Sequence, residues 1–145
     1  MRAFWFAALA LLPAAVSAQT IAPFTVSGDS IEGALEGRTG DAKRGEAVVK
    51  NRETGNCLIC HTIPDRREPF QGELGPPLAG VGLRLTAGQI RLRLVDPTQV
   101  NDRAIMPAYH RVHGLVNVEP RHAGRPVLGA QEIEDVVSYL SGLKE

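Results

Sequence analysis

The residues of this chain best suited to chemistry stand five in a row, Cys57-Leu58-Ile59-Cys60-His61, and include both cysteines of the sequence and the first of its four histidines. Four chemistries use such a cluster. In an oxidising compartment two cysteines commonly pair, but a disulfide across two residues closes a very small loop and by chain entropy stabilises little. A redox dithiol of the thioredoxin kind follows a strand and opens a helix in a βαβ setting, whereas the preceding "KNRETGN" is polar and has no β-branched run. Zinc requires four ligands at recognisable spacing; after His61 only His110, His113 and His122 remain, with no second C-x-x-C and no H-x-x-x-H. C-x-x-C-H is also the signature of covalent c-type haem attachment. There the two sulfurs reach two vinyl groups on one edge of the macrocycle, and the adjacent imidazole turns under its plane to bind iron. That reading gives every residue type in the motif a task. The expectation is therefore one haem c per chain, held by Cys57 and Cys60, with His61 on the iron.

The group on the other side of the iron decides what the metal can do, and Met or His there makes an electron-transfer centre. Beyond the first residue the chain has one methionine, Met106, in "NDRAIMPAYHR". A lone Met is often core filler. Met106, however, lies outside any helical period, and the proline after it fixes an extended backbone. It is the expected second axial ligand; His110, His113 and His122 compete for the role but read as solvated loop residues. A haem-ligating His usually donates its other ring N–H to a carbonyl or carboxylate. "GELGPPLAGVG", residues 72 to 82, offers the Pro76 carbonyl on a stiff backbone, although a plain turn rich in Gly and Pro reads equally well.

These residues need a scaffold, and three helical patterns supply one. "GDAKRGEAVVKNR" has Asp41 as N-cap and places Gly45, Val48 and Val49 on one face. "LTAGQIRLRLVDP" has Thr86 and Gln89 at capping-box spacing, Ile90 and Leu94 one turn apart, and Pro97 as a stop. "GAQEIEDVVSYLSGLKE" repeats Ile133, Val136, Val137, Leu140 and Leu143 at helical period, with acidic residues early and Lys144 late, as the helix dipole prefers. No strand alternation, internal repeat or low-complexity run stands out, so the fold class is all-α.

At the N-terminus "MRAFWFAALALLPAAVSAQT" places one Arg before an apolar run and ends it with the small-residue pattern Val16-Ser17-Ala18. It reads as a signal peptide cleaved after Ala18, with export to the periplasm. The run is shorter than the ~20 apolar residues of a membrane span, and Pro13 interrupts it. The 16 basic and 16 acidic residues balance, so no field for nucleic acid or an anionic membrane follows. Aromatic residues are 5% of the chain while Gly and Pro number 15 and 10. A bound cofactor would supply apolar volume that the side chains lack. Convincing nucleophilic triads, paired catalytic carboxylates and phosphate-binding glycine loops are not found.

Helix, C-x-x-C-H, Gly75-Pro76-x-Leu78-x-Gly80, helix, Met106-Pro107 and a terminal helix with Val136-Val137-Ser138-Tyr139-Leu140 together resemble a class I cytochrome c domain. The resemblance covers residues 41–145, behind a signal peptide (1–18) and an N-terminal extension (19–40). It implies a small all-α fold wrapped around one haem, first and last helices crossing, Pro76 as carbonyl partner of His61, and Gly45 opposite the terminal helix near Tyr139. The stretches "GNCLICH", "FQGELGPPLAGVGLRLTAGQIRLRLVDP", "MPAYHR" and "QEIEDVVSYLSGLK" are similar to the SoxX family, the monohaem subunits of bacterial SoxAX thiosulfate-oxidising complexes. That similarity implies a heterodimer with a SoxA-like haem subunit, forming an L-cysteine S-thiosulfotransferase that joins thiosulfate to a carrier-protein cysteine and releases two electrons. It also implies a downstream cytochrome as acceptor and no catalytic centre on this chain, whose cysteines are both used for haem. The alternative is a freestanding, diffusible class I cytochrome c. The long segment from Pro107 to Leu128 and the region before residue 40 are expected to contact the partner; the alternative is that the loop folds on its own domain.

Overall fold

A computed structural model describes residues 21–145 of the chain. The expected signal peptide, residues 1–18, lies outside the described residues. Among those residues there is no strand beyond an isolated bridge between Ser27 and Ser30, and no helix is long and apolar enough to cross a membrane.

Helix α1 spans Ala42–Lys50 and begins where expected, with the Asp41 carboxylate accepting the Arg44 N–H at 2.8 Å. It crosses the terminal helix α4, Ala130–Gly142. The crossing is close because Gly45 has no side chain: a Cβ there would overlap the Asp135 carbonyl, and Tyr139 stands alongside. Asp135 then locks the contact, accepting the Asp41 N–H at 2.7 Å and gripping Arg44 through Nε and Nη2, each at 2.8 Å. Burial opposes ionisation of Asp135, but the bonds from Arg44, Asp41 and Gln131 outweigh it and hold the carboxyl below the usual range.

Helix α4 buries Ile133, Val136, Val137 and Leu140, as the period predicts. Glu132 reaches back to the Gly129 N–H at 2.8 Å to start the helix. It ends at Gly142, earlier than expected, so Leu143 and Lys144 fall beyond its last turn. Leu143 still packs partly against the core.

A short helix that the periodicity does not reveal, α2 at Val81–Arg84, leads into α3, Ala87–Val95. Thr86 and Gln89 cap α3 reciprocally, at 2.9 and 3.2 Å. Pro97 ends it, opening a 3-10 turn over Pro97–Gln99. This helix is buried on several faces, through Gly88, Arg91, Leu92 and Val95 as well as Ile90 and Leu94. The N-terminal extension provides the added cover: Ile31 donates its N–H to the Gly88 carbonyl at 3.1 Å, and Ala22, Ile31 and Leu35 join the core. Between α3, α4 and the extension lies an ion pair of Arg91 with Glu134, whose side chains are only 7% and 4% exposed.

Candidate haem site

The C-x-x-C-H motif leaves α1 through a sharp reversal. Asn56 takes a left-handed conformation, φ +46°, which asparagine tolerates better than most residues. Cys57–Ile59 then form a 3-10 turn, and the Cys57 carbonyl accepts N–H bonds from Cys60 and His61 at 3.2 and 3.0 Å. The glycine- and proline-rich segment runs alongside: Gly72 bonds to Leu58 at 2.8 Å, Gly75 to Cys60 at 2.7 Å and Leu78 to Thr62 at 2.8 Å. This pairing carries Pro76 to the imidazole, and its carbonyl accepts a bond from His61 Nδ1 at 2.7 Å. A carbonyl can only accept, so Nδ1 carries the proton that donates, and Nε2 is the ring nitrogen left for a metal. Gly75 makes room for the ring, because a Cβ there would overlap it. "GELGPPLAGVG" is thus both a turn and a clamp on His61.

His61, Cys57 and Cys60 line a cavity of about 930 Å³. Leu78 from the Gly/Pro-rich segment and Val81, Ile90, Leu94 and Leu140 from α2, α3 and α4 give it apolar walls, and Met106 lines it too. The sequence separates Met106 from the motif, but the fold brings both to one space. Met106 is half-buried and packs against the core. The volume lies at the upper end of the ~300–1,000 Å³ found for small-molecule and cofactor sites. Two thiols, an oriented imidazole, a thioether and apolar walls are the donor set and surroundings that a covalently held haem requires. Among the described residues, no three or more His, Cys, Asp or Glu side chains converge as a metal-binding group, so the motif has no zinc-site partners within them. Burial pushes the Cys57 thiol up to about 11, which makes it a poor thiolate nucleophile.

The remaining histidines differ from one another. His113 is exposed, as expected, and His122 is half-buried and lines the cavity. His110 corrects the expectation of a solvated loop residue, being completely buried. Its Nδ1–H donates to the Leu128 carbonyl at 2.8 Å and its Nε2 accepts the Ala22 N–H at 3.0 Å. With both nitrogens engaged, it is not free to bind iron; it fastens the extension and the long loop to the domain. The loop also contributes to the cavity wall through Leu115, Val118 and Val127. Asp96 anchors the loop's beginning. Burial opposes its ionisation, but bonds from Thr98 and Gln99 and the charge of Arg111 hold the carboxyl below the usual range. Sequence reasoning also passed over Tyr109, a buried residue of the cavity lining whose hydroxyl donates to the Gly55 carbonyl at 2.9 Å. Its place three residues after Met106 was the available signal.

No family model matches the chain, and no curated protein matches it. A solved structure does: SoxXA from P. pantotrophus superimposes with a TM-score of 0.77 at 32% sequence identity, over 84% of this chain and 95% of the matched one. The two share the same helical cytochrome c fold. By this identity and coverage, together with its all-α fold, the chain belongs to the SoxX family of cytochromes.

Proposed function

We propose that this chain is the electron-transfer subunit of a periplasmic SoxAX-type complex, which joins thiosulfate to a carrier-protein cysteine. The observation that carries this reading is the meeting of Cys57, Cys60, the Pro76-bound His61 and Met106 around one apolar cavity, in a chain of the SoxX family. Cys57 and Cys60 would anchor one haem c through thioether bonds, and His61 and Met106 would hold its iron. When bound, the haem supplies a one-electron iron couple. Pro76 fixes the imidazole tautomer and orientation, which makes the ligating nitrogen a stronger donor. Apolar side chains of α2, α3 and α4 line the cavity and would shield the group, and with two protein ligands its iron would have no open position for substrate.

With both thiols used for attachment, the sulfur chemistry falls to a SoxA-like haem subunit. This subunit takes electrons from it and passes them to a downstream cytochrome. Ile59, Leu74, Ile105 and Val116 stand around the cavity and form the face offered to the SoxA-like subunit, with Val116 contributed by the long loop. The region before residue 40 is held to its own domain through Ala22, Ile31 and Leu35. Export with cleavage after Ala18 places the chain in the compartment where haem c is attached.

Purification of the native protein from its source tests the assembly. A second haem subunit is expected at one-to-one stoichiometry through size-exclusion chromatography. A lone monohaem monomer, at every concentration tried, would instead identify a freestanding shuttle.

A further inference from the structure

Met106 stands in a stretch between Val95 and Ala130 whose only helical pieces are two 3-10 turns. No helical ladder positions it, so individual bonds must. Three of them belong to Tyr109. Its N–H donates to the Leu94 carbonyl at the end of α3 at 3.0 Å, and its carbonyl accepts from Leu128 N–H at 3.0 Å. Its hydroxyl crosses 54 positions of sequence to the Gly55 carbonyl at 2.9 Å. One side chain therefore ties the loop that carries Met106 to the turn that carries Cys57, two residues beyond Gly55. Its ring is 6% exposed and lines the same cavity.

We propose that Tyr109 is a positioning residue: its hydroxyl bond to Gly55 sets the span between the attachment turn and the Met106 loop, and so holds Met106 on the iron. The proposal rests on Met106 being the axial ligand. A ring packed only as core filler would need no hydroxyl, yet this one is spent on a backbone carbonyl that no other bond satisfies. Burial also pushes the phenol above its ordinary range, so the group stays a donor throughout the neutral range. Loss of the bond leaves the ring's volume in place but removes the tie. The loop then opens more often, and an external ligand that competes with Met106 gains affinity in proportion to the open fraction.

The test is titration of the ferric holoprotein with imidazole, following the long-wavelength sulfur-to-iron charge-transfer band. For Tyr109→Phe the apparent imidazole affinity is expected to rise about five- to tenfold, the equivalent of one buried hydrogen bond. Tyr139→Phe, on the α1–α4 side of the domain, is expected to leave it unchanged. A Tyr109→Phe protein that unfolds at lower denaturant but binds imidazole like the wild type overturns the proposal and leaves a structural role alone. A wild type with no such band fails earlier, at the assignment of Met106, and that outcome overturns the proposal with it. If the variant is not recovered with haem, hydrogen exchange on the wild type decides. Displacing Met106 with imidazole is expected to reduce protection at the Tyr109 and Leu128 amides, and unchanged protection overturns the proposal.

Discussion

Met106→Ala is expected to lower the haem reduction potential by an amount on the order of 0.1–0.3 V, within the ~0.8 V that axial ligands span, while the haem stays covalently attached. The chain holds no other methionine beyond Met1, so nothing replaces the thioether in kind. A thioether favours the reduced iron; water or an imported base favours the oxidised state. The sulfur-to-iron charge-transfer band should vanish with it. His122 is the sharp control, since it lines the same cavity. His122→Ala is expected to leave band and potential near wild type. Redox titration of the two variants, monitored by absorbance, separates the candidates, because only the true ligand's loss changes both.

The second large effect lies away from the cavity. Arg91→Ala is expected to cost about 3–5 kcal/mol, the range for breaking one side of a buried ion pair. For a domain of this size that is a fall in melting temperature on the order of 10–20 °C. Arg91 grips Glu134 with two bonds, Nε to Oε1 at 2.7 Å and Nη2 to Oε2 at 2.8 Å, and donates from Nη1 to the Ile31 carbonyl at 2.6 Å. Glu134 also accepts the Leu35 N–H at 2.9 Å. Without the guanidinium, a buried carboxylate keeps one backbone donor and the Ile31 carbonyl loses its partner. The double replacement, Arg91→Met with Glu134→Leu, removes both charges and leaves the Ile31 and Glu32 carbonyls and the Leu35 N–H short of bonds. It is expected to be more stable than Arg91→Ala. Differential scanning calorimetry of the holoprotein measures both; a double variant as unstable as the sum of the singles would contradict the account.

This ion pair also shows where sequence reading stopped. The periodicity of α4 predicts the buried face that carries Ile133 and Val137, and the capping residues Asp41 and Thr86 predict where α1 and α3 begin. Such signals are local: a cap lies three residues from its donor, and a helical face repeats every turn. Arg91 and Glu134 meet where α3 packs on α4 beneath the N-terminal extension, and that extension has no period to read. His110 looked like a loop histidine for the same reason. Its partners, Ala22 and Leu128, are backbone groups distant in sequence, which no side-chain pattern announces. At the site, the expectation of haem attachment rests on the type and spacing of five adjacent residues. Pro76 was legible as one of two readings, a turn or a partner of His61, and the segment is both. For Tyr109 only its nearness to Met106 was legible; its hydroxyl bond to a carbonyl 54 residues away leaves no trace in the order of residues.

The central claim is that this chain carries electrons while another subunit performs the sulfur chemistry. Thiosulfate-dependent reduction of its haem tests that most directly, followed by absorbance with the isolated chain and with the chain joined to its copurified partner and a carrier protein. The account predicts no reduction of the isolated chain and reduction in the complete mixture. Reduction of the isolated chain by thiosulfate at a comparable rate would contradict it.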